Sequence, residues 1–145
     1  MVQDIVGFTY YGNAHMFRHA VGITPYVPGK CVVTKERNLP YLSLSKTFIE
    51  AFHKKEICYE VMSELYHDTI LRHYDANEII EEIHNKFGKP IVICGVYREP
   101  MEDHRSVFAK WINDNTPYNA IEVSEQMELN GNDAEGILNG HIIMK

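Results

Sequence analysis

The segment from Ile91 to Trp111 constrains the fold more than any other part of the sequence, because it joins a buried strand, a short polar loop and an amphipathic helix. Ile91–Cys94 is a run of β-formers typical of a strand covered on both faces, and Gly95 lets the backbone leave the sheet. Asp103 is the predicted N-cap of the helix. The apolar face of that helix comprises Val107, Phe108, Trp111 and Ile112. A buried strand that leads into such a helix indicates an α/β fold.

The composition fits one globular domain. The chain has 145 residues, of which 45% are hydrophobic and 23% charged. Cys31, Cys58 and Cys94 show no C-x-x-C spacing, so neither a disulfide framework nor a cysteine zinc site is expected. The sequence has no apolar run long enough for a bilayer and no signal-peptide pattern, so we expect a cytoplasmic protein without membrane contact. A net charge of −6 argues against generalised nucleic-acid binding.

Three further helices are predicted in the middle of the chain. Ser43 or Ser45 caps the first, and the second covers about Cys58 to His73. Asp75 begins the third helix with a pattern similar to a capping box, and Gly88 ends it. Helical periodicity in all three favours an apolar face against a sheet.

Strands are predicted at Asp4–Tyr11, Lys30–Thr34 and Tyr118–Val123, in addition to the Ile91 strand. Asn139-Gly140 between apolar residues predicts a two-residue hairpin. The order strand, helix, strand implies a parallel, right-handed crossover. We therefore predict a single three-layer, Rossmann-like α/β domain with a short, mainly parallel sheet over residues 1–123, and an appended C-terminal β-hairpin in residues 124–145.

The Ile91 to Trp111 segment also resembles the domain of unknown function 488 family, in which a strand ends in a cysteine and a following helix opens with Cys-His-Arg. The matching residues are Cys94, His104, Arg105 and Trp111. Further similarity lies in Tyr10-Tyr11-Gly12-Asn13, in Tyr59 and Tyr66, and in the helix from Asn77, so that it covers about Ile5 to Val123.

Two positions depart from this family. Asp103 stands where the family has the cysteine before His-Arg, and Val96 stands where it commonly has a glutamate. Chemistry that needs two thiols is therefore not expected here. Since the family has no agreed reaction, the resemblance implies an α/β fold and the place of a site, and no particular activity.

An anion site is predicted where the Ile91 strand gives way to its helix. In open α/β sheets ligands collect beyond the carboxyl ends of strands, where helix N-termini attract negative charge. Arg98, His104 and Arg105 are the expected anion contacts there, with Asp103 beside them. The alternative is an N-cap aspartate with two solvated neighbours. Tyr11, Asn13 and Arg18 follow the first strand, and an aromatic ring, an amide and a guanidinium suit a nucleobase with a phosphate. The alternative is that Tyr10 or Tyr11 packs in the core, which is expected for one of the two because strand neighbours point to opposite faces.

For each candidate cysteine and histidine, a structural role is the alternative to catalysis or metal binding. Cys94 is either a nucleophile activated by neighbouring positive charge or a buried, inert thiol, and burial is favoured. The i, i+4 pair His15 and His19 and the cluster from His67 to His73 lack further ligands at motif spacing, so no metal site is predicted. The G-x-G-x-x-G, phosphate-loop, G-x-S-x-G and H-E-x-x-H motifs are absent.

The function predicted from these residues is the binding of an anionic, nucleotide-like small ligand at the carboxyl ends of the first strand and the Ile91 strand. The protein would be a sensor, a sequestering protein or a small hydrolase-type enzyme, with His104 as acid or base and Cys94 as a candidate nucleophile. No cofactor is expected. The alternative is a protein–protein interaction module, an inhibitor or adaptor, that uses the edge of the C-terminal hairpin. The apolar residues of that hairpin either pack on the domain's own sheet edge or pair with the same hairpin of a second copy, and the homodimer is the favoured prediction.

Overall fold

The computed structural model describes residues 5–29 and 31–123. Its strands are β1 (Ile5–Tyr10), β2 (Ala20–Gly22), β3 (Val92–Gly95) and β4 (Asn119–Glu122). Its α-helices are α1 (Lys46–His53), α2 (Tyr59–Thr69), α3 (Ala76–Phe87) and α4 (Arg105–Asn115). The predicted C-terminal hairpin, and with it the homodimer and the partner-binding edge, lies outside the described residues.

The strands form one parallel sheet in the order β2-β3-β1-β4. Tyr10 is in register with Gly95, so the first strand and the Ile91 strand are neighbours and end at the same edge of the sheet. The predicted α/β fold with a short parallel sheet is confirmed. None of the helices in residues 5–29 and 31–123 is long and apolar enough to cross a membrane.

The two faces of the sheet are covered unequally. Alternate strand residues such as Val6, Phe8 and Ile93 join a large core with side chains from all four α-helices. The other face carries two smaller clusters, built on the 3₁₀ helix Tyr11–Met16 and on Val33. Right-handed crossovers that run in opposite directions place their connections on opposite faces. The connections from β2 to β3 and from β3 to β4 cross the sheet in one direction, and they contain α1 to α4. The connection from β1 to β2 crosses in the other direction and carries the 3₁₀ helix Tyr11–Met16, so the layer on that face is thin.

Helix capping follows the sequence closely. The Ser45 hydroxyl, rather than that of Ser43, accepts a hydrogen bond of 3.3 Å from the Phe48 N–H and begins α1. The Asp75 carboxylate accepts one of 3.0 Å from the Glu78 N–H and begins α3. Gly88 ends α3 with a φ of 90°, a backbone conformation that favours glycine. Both Asp75 and Gly88 confirm the predicted ends of α3.

Several predicted boundaries are wrong. Residues 31–34 form no strand, and the edge strand is instead the three-residue β2, too short to show a periodic pattern. The predicted helix to His73 ends as α-helix at Thr69 and continues as a 3₁₀ turn. The N-cap of α4 is His104, one residue after Asp103, although the Asp103 carboxylate still accepts the Arg105 N–H.

Candidate functional site

Arg105 lies at the first position of α4 and is fully buried. Its Nε donates to Glu122 Oε1 at 3.2 Å, and its Nη2 donates to Glu122 Oε2 at 2.7 Å and to the Arg98 carbonyl at 3.0 Å. Its Nη1 donates to Asp103 Oδ2 at 2.9 Å and to the Tyr97 carbonyl. A guanidinium has five N–H donors, and all five are used within the protein. The prediction that Arg105 offers a free charge to a ligand is therefore wrong.

The Asp103 carboxylate is buried between the loop after β3 and the start of α4. Besides Arg105, it accepts the Tyr97 N–H at 2.9 Å. A Cβ atom added at Gly95 would lie 2.3 Å from Asp103 Oδ2, so only glycine lets the carboxylate approach the strand this closely. Asp103 thus holds the loop in place, which is a structural role.

Glu122, at the end of β4, completes what we call the Arg105 network: Arg105, Asp103, Glu122 and the two loop carbonyls. Burial raises the pKa of Glu122, and the hydrogen bonds from Arg105 oppose that rise. Two carboxylates and one guanidinium leave the network with a net negative charge when both are ionised. This network ties β3, α4 and β4 together, and its guanidinium has no N–H donor left for an anion.

His104 is also buried, with both ring nitrogens next to protein groups. Its Nε2 donates to the Ile23 carbonyl at 2.6 Å, and its Nδ1 lies 3.3 Å from Asp103 Oδ1. Burial lowers the pKa of His104, although Asp103 and the Ile23 carbonyl oppose the shift. Burial thus disfavours the charged form of His104, and both ring nitrogens already face protein groups.

Ser43, His104 and Asp103 follow the order of a serine hydrolase triad. The Ser43 Oγ lies 3.5 Å from His104 Nε2. In a working triad, however, that nitrogen accepts the serine proton. Here Nε2 carries the hydrogen donated to Ile23, and the Ser43 hydroxyl donates to the Leu44 carbonyl at 2.7 Å. The geometry does not support a nucleophilic serine.

Tyr11 and Asn13, two predicted ligand contacts that follow the first strand, are packed in the interior. The Tyr11 hydroxyl is 2.6 Å from Thr24 Oγ1, and the Asn13 amide donates to Thr9 Oγ1 at 3.1 Å. Both side chains are buried, so the prediction that they contact a base or sugar is wrong. Burial also raises the pKa of Tyr11.

The remaining predicted residues are divided between surface and core. Arg18 is exposed and lies outside the pocket described below, and Arg98 is exposed with its guanidinium carbon 6.0 Å from the centre of the Tyr10 ring. Cys94 has no exposed surface, and burial raises the pKa of its thiol well above its usual range. Of the two alternatives for Cys94, the buried thiol is confirmed, and Cys94 is not among the residues that line the pocket described below.

A pocket does open at the predicted edge of the sheet, but it lies beyond β2 and β3 rather than between β1 and β3. We call it the carboxyl-end pocket. It is open to solvent, and the empty space between its walls, including the part open to solvent, is about 430 Å³. One wall follows β2, one follows β3, and the third is the first turn of α1. The lining residues are Thr24, Pro25, Tyr26, Lys46, Ile49, Glu50, Val96, Tyr97, Asp103 and His104.

Lys46 and Tyr26 stand at the mouth of this pocket. The Lys46 Nζ lies 5.5 Å from the centre of the Tyr26 ring, which is 59% exposed. The same ammonium group is 3.8 Å from the Glu50 carboxylate one helical turn further on. Neither residue was predicted, because a lysine after an N-cap serine and a tyrosine in an irregular loop carry no motif. Only the fold brings them together.

Tyr97 forms the opposite wall and is firmly placed. Its ring stacks on His53 with centres 3.6 Å apart and planes inclined by 21°. Its backbone donates to Asp103 and accepts from Arg105. The Arg105 network therefore positions the pocket wall, which explains how residues without access to a ligand still belong to the site.

In the described part of the chain, no group of three or more histidine, cysteine, aspartate or glutamate side chains is arranged to hold a metal ion. Comparisons of the chain with protein-family models, with curated proteins and with solved structures gave no match. The resemblance to the domain of unknown function 488 family stays a prediction.

Proposed function

We propose that the protein binds a small, anionic ligand with a planar ring, such as a mononucleotide, in the carboxyl-end pocket. The observation that carries the proposal is the placement of the Lys46 ammonium group 5.5 Å from the exposed Tyr26 ring at the mouth of that pocket. An ammonium group attracts a phosphate or carboxylate, and an exposed aromatic ring offers a stacking surface. The carboxyl ends of parallel strands are the usual place for ligands in α/β proteins.

The lining of the pocket favours binding over catalysis. His104 uses Nε2 to hold Ile23, and Asp103 is occupied by Arg105 and Tyr97, so the titratable groups at the pocket floor already have partners. A general acid or base needs a nitrogen or oxygen within reach of the ligand. We therefore propose a sensor or sequestering protein in preference to a hydrolase.

Thermal shift measurements with adenosine monophosphate, adenosine and inorganic phosphate test this proposal, because a ligand of the folded state raises Tm. We expect adenosine monophosphate to raise Tm most. Adenosine lacks the anion, and phosphate lacks the ring, so each should give a smaller shift. Lys46→Met keeps the aliphatic stem but removes the charge, and it should abolish most of the shift.

Lys110→Met is the matched control. Lys110 is also an exposed helical lysine paired with an acidic residue four positions on, Asp114, but it lies on α4 away from the pocket. An equal loss of the adenosine monophosphate shift in both variants would contradict the proposal. So would the absence of a shift for adenosine monophosphate with the unaltered protein.

A further inference from the structure

Two of the three cysteines lie at one apolar cluster on the thin face of the sheet. Cys94, at the end of β3, belongs to the cluster of Tyr11, Ala14, Ala20 and Val33, and Cys31 packs against the same cluster. Both thiols are free. The Cys31 Sγ lies 3.4 Å from the Val33 nitrogen, and Val33 belongs to the same cluster as Cys94. Burial, and then the Cys31 thiol, raise the pKa of Cys94.

The same two cysteines lie on the chain segments that form two of the three walls of the carboxyl-end pocket. Cys31 follows Tyr26 on the connection that leaves β2, and Cys94 comes directly before the Gly95–Tyr97 segment that leaves β3. A covalent bond between the cysteines would therefore join the segment that carries Tyr26 to the segment that carries Tyr97.

We propose that Cys31 and Cys94 are a redox-sensitive pair that forms a disulfide when a hydroperoxide is the oxidant. The Cys31 thiolate attacks one peroxide oxygen, the O–O bond breaks, and Cys31 becomes a sulfenic acid while hydroxide, once protonated, leaves as water (for an organic hydroperoxide, the alcohol). The Cys94 sulfur then attacks the Cys31 sulfur, and a second water leaves with the Cys94 proton. The peroxide is reduced by two electrons, and the two thiols lose them.

The order of these steps follows from exposure. Cys31 is half-buried, so a peroxide reaches it from solvent, and its Sγ accepts a hydrogen bond of 3.4 Å from the Val33 N–H. Cys94 has no exposed surface and reacts only with a partner already inside the cluster. The exposed third cysteine, Cys58, lies at the start of α2 and outside this cluster.

The test is to treat the full chain with hydrogen peroxide, block the remaining thiols by alkylation, digest without reducing agent and map the linked peptides by mass spectrometry. We expect Cys31 linked to Cys94, with Cys58 alkylated. Cys58→Ser is the matched control and should form the same link, whereas Cys31→Ser should not. Links that involve Cys58, or Cys31 oxidised to sulfinic acid without a link, would overturn the proposal.

The effect of the disulfide on the pocket rests on the ligand binding proposed above, but the formation of the disulfide does not. In the linked protein, the affinity for adenosine monophosphate should differ at least several-fold from that of the reduced protein, and Cys31→Ser should abolish this difference. A mapped link with unchanged affinity would overturn the regulatory part. If neither form binds, the mapped link still stands and the failure belongs to the proposed ligand.

Discussion

Arg105 and Glu122 are joined by two parallel hydrogen bonds, of 3.2 Å from Nε and 2.7 Å from Nη2, which connect the first turn of α4 to the last residue of β4. Such a bidentate pair is among the strongest polar contacts in proteins. Glu122 follows Arg105 by 17 residues in the sequence. The pair therefore fixes the start of α4 to the carboxyl end of β4 within the β3–α4–β4 unit.

Arg105→Met is expected to lower the free energy of unfolding by about 3–5 kcal/mol, because it leaves Asp103 and Glu122 next to each other without their buried cation. Urea unfolding of the variant and the parent protein measures this difference. Arg18→Met, which removes a surface arginine, is the control and should change little. A stable Arg105→Met that has lost only ligand affinity would mean that Arg105 is a ligand contact after all.

Gly95→Ala tests the close approach of Asp103 to β3. The added Cβ would lie 2.3 Å from the carboxylate, so Asp103 has to move and its bonds to Tyr97 and Arg105 lengthen. We expect a loss of about 1–3 kcal/mol in unfolding free energy. Gly29→Ala is a matched control, because an added Cβ there meets nothing within 4 Å. Equal stability of the two variants in thermal and urea unfolding would contradict the role assigned to Gly95.

Much of the fold was readable from local sequence. The run at Ile91–Cys94, the cap at Asp75 and the glycine stop at Gly88 each depend on residues within a few positions, and all three correspond to observed elements. The three-residue β2 was not predicted, because a strand that short has no period to detect.

The site was harder to predict because its chemistry depends on distant partners. His-Arg after a strand is an obvious candidate anion site, but whether Arg105 faces a ligand or the interior depends on Glu122 on another strand and on carbonyls of the loop. Lys46 enters the pocket only because α1 packs beside the end of β2. Hydrophobic periodicity predicts which face of a helix or strand is buried, but it does not predict which side chains lie beyond the end of that element.

His84→Phe is expected to stabilise the protein. Both ring nitrogens of His84 are buried without a hydrogen-bond partner in the described part of the chain, and its ring lies edge-on to Tyr118. Phenylalanine keeps the ring contact and removes the unsatisfied nitrogens, so we expect a gain of about 1 kcal/mol in unfolding free energy. The exposed His67 provides the control substitution His67→Phe. A destabilised His84→Phe would indicate that the imidazole nitrogens have partners in solution.

The same residue predicts the pH dependence of stability. Burial lowers the pKa of both His84 and His104, so at mildly acidic pH the unfolded chain binds more protons than the folded one. Stability should therefore fall as pH drops below about 6.5, the ordinary histidine pKa, by at most about 1.4 kcal/mol per pH unit for each histidine. Urea unfolding between pH 5 and 8 should show this slope, reduced in His84→Phe. A slope of the opposite sign would mean that one of the buried histidines is charged in the folded state.

Glu50→Gln is expected to strengthen binding of adenosine monophosphate in the carboxyl-end pocket. Glu50 lies 3.8 Å from Lys46 and competes with an incoming anion for the ammonium group, and both residues line the pocket. Exposed ion pairs are weak, so the expected gain in affinity is about two- to fivefold.

This gain in affinity should shrink as salt concentration rises, because salt screens charges at the mouth of the pocket. Isothermal titration calorimetry at two salt concentrations measures both effects, and Asp114→Asn removes the acidic partner of Lys110 as a control. Weaker binding by Glu50→Gln would show that Glu50 itself contacts the ligand, and the pocket would then favour a cationic group.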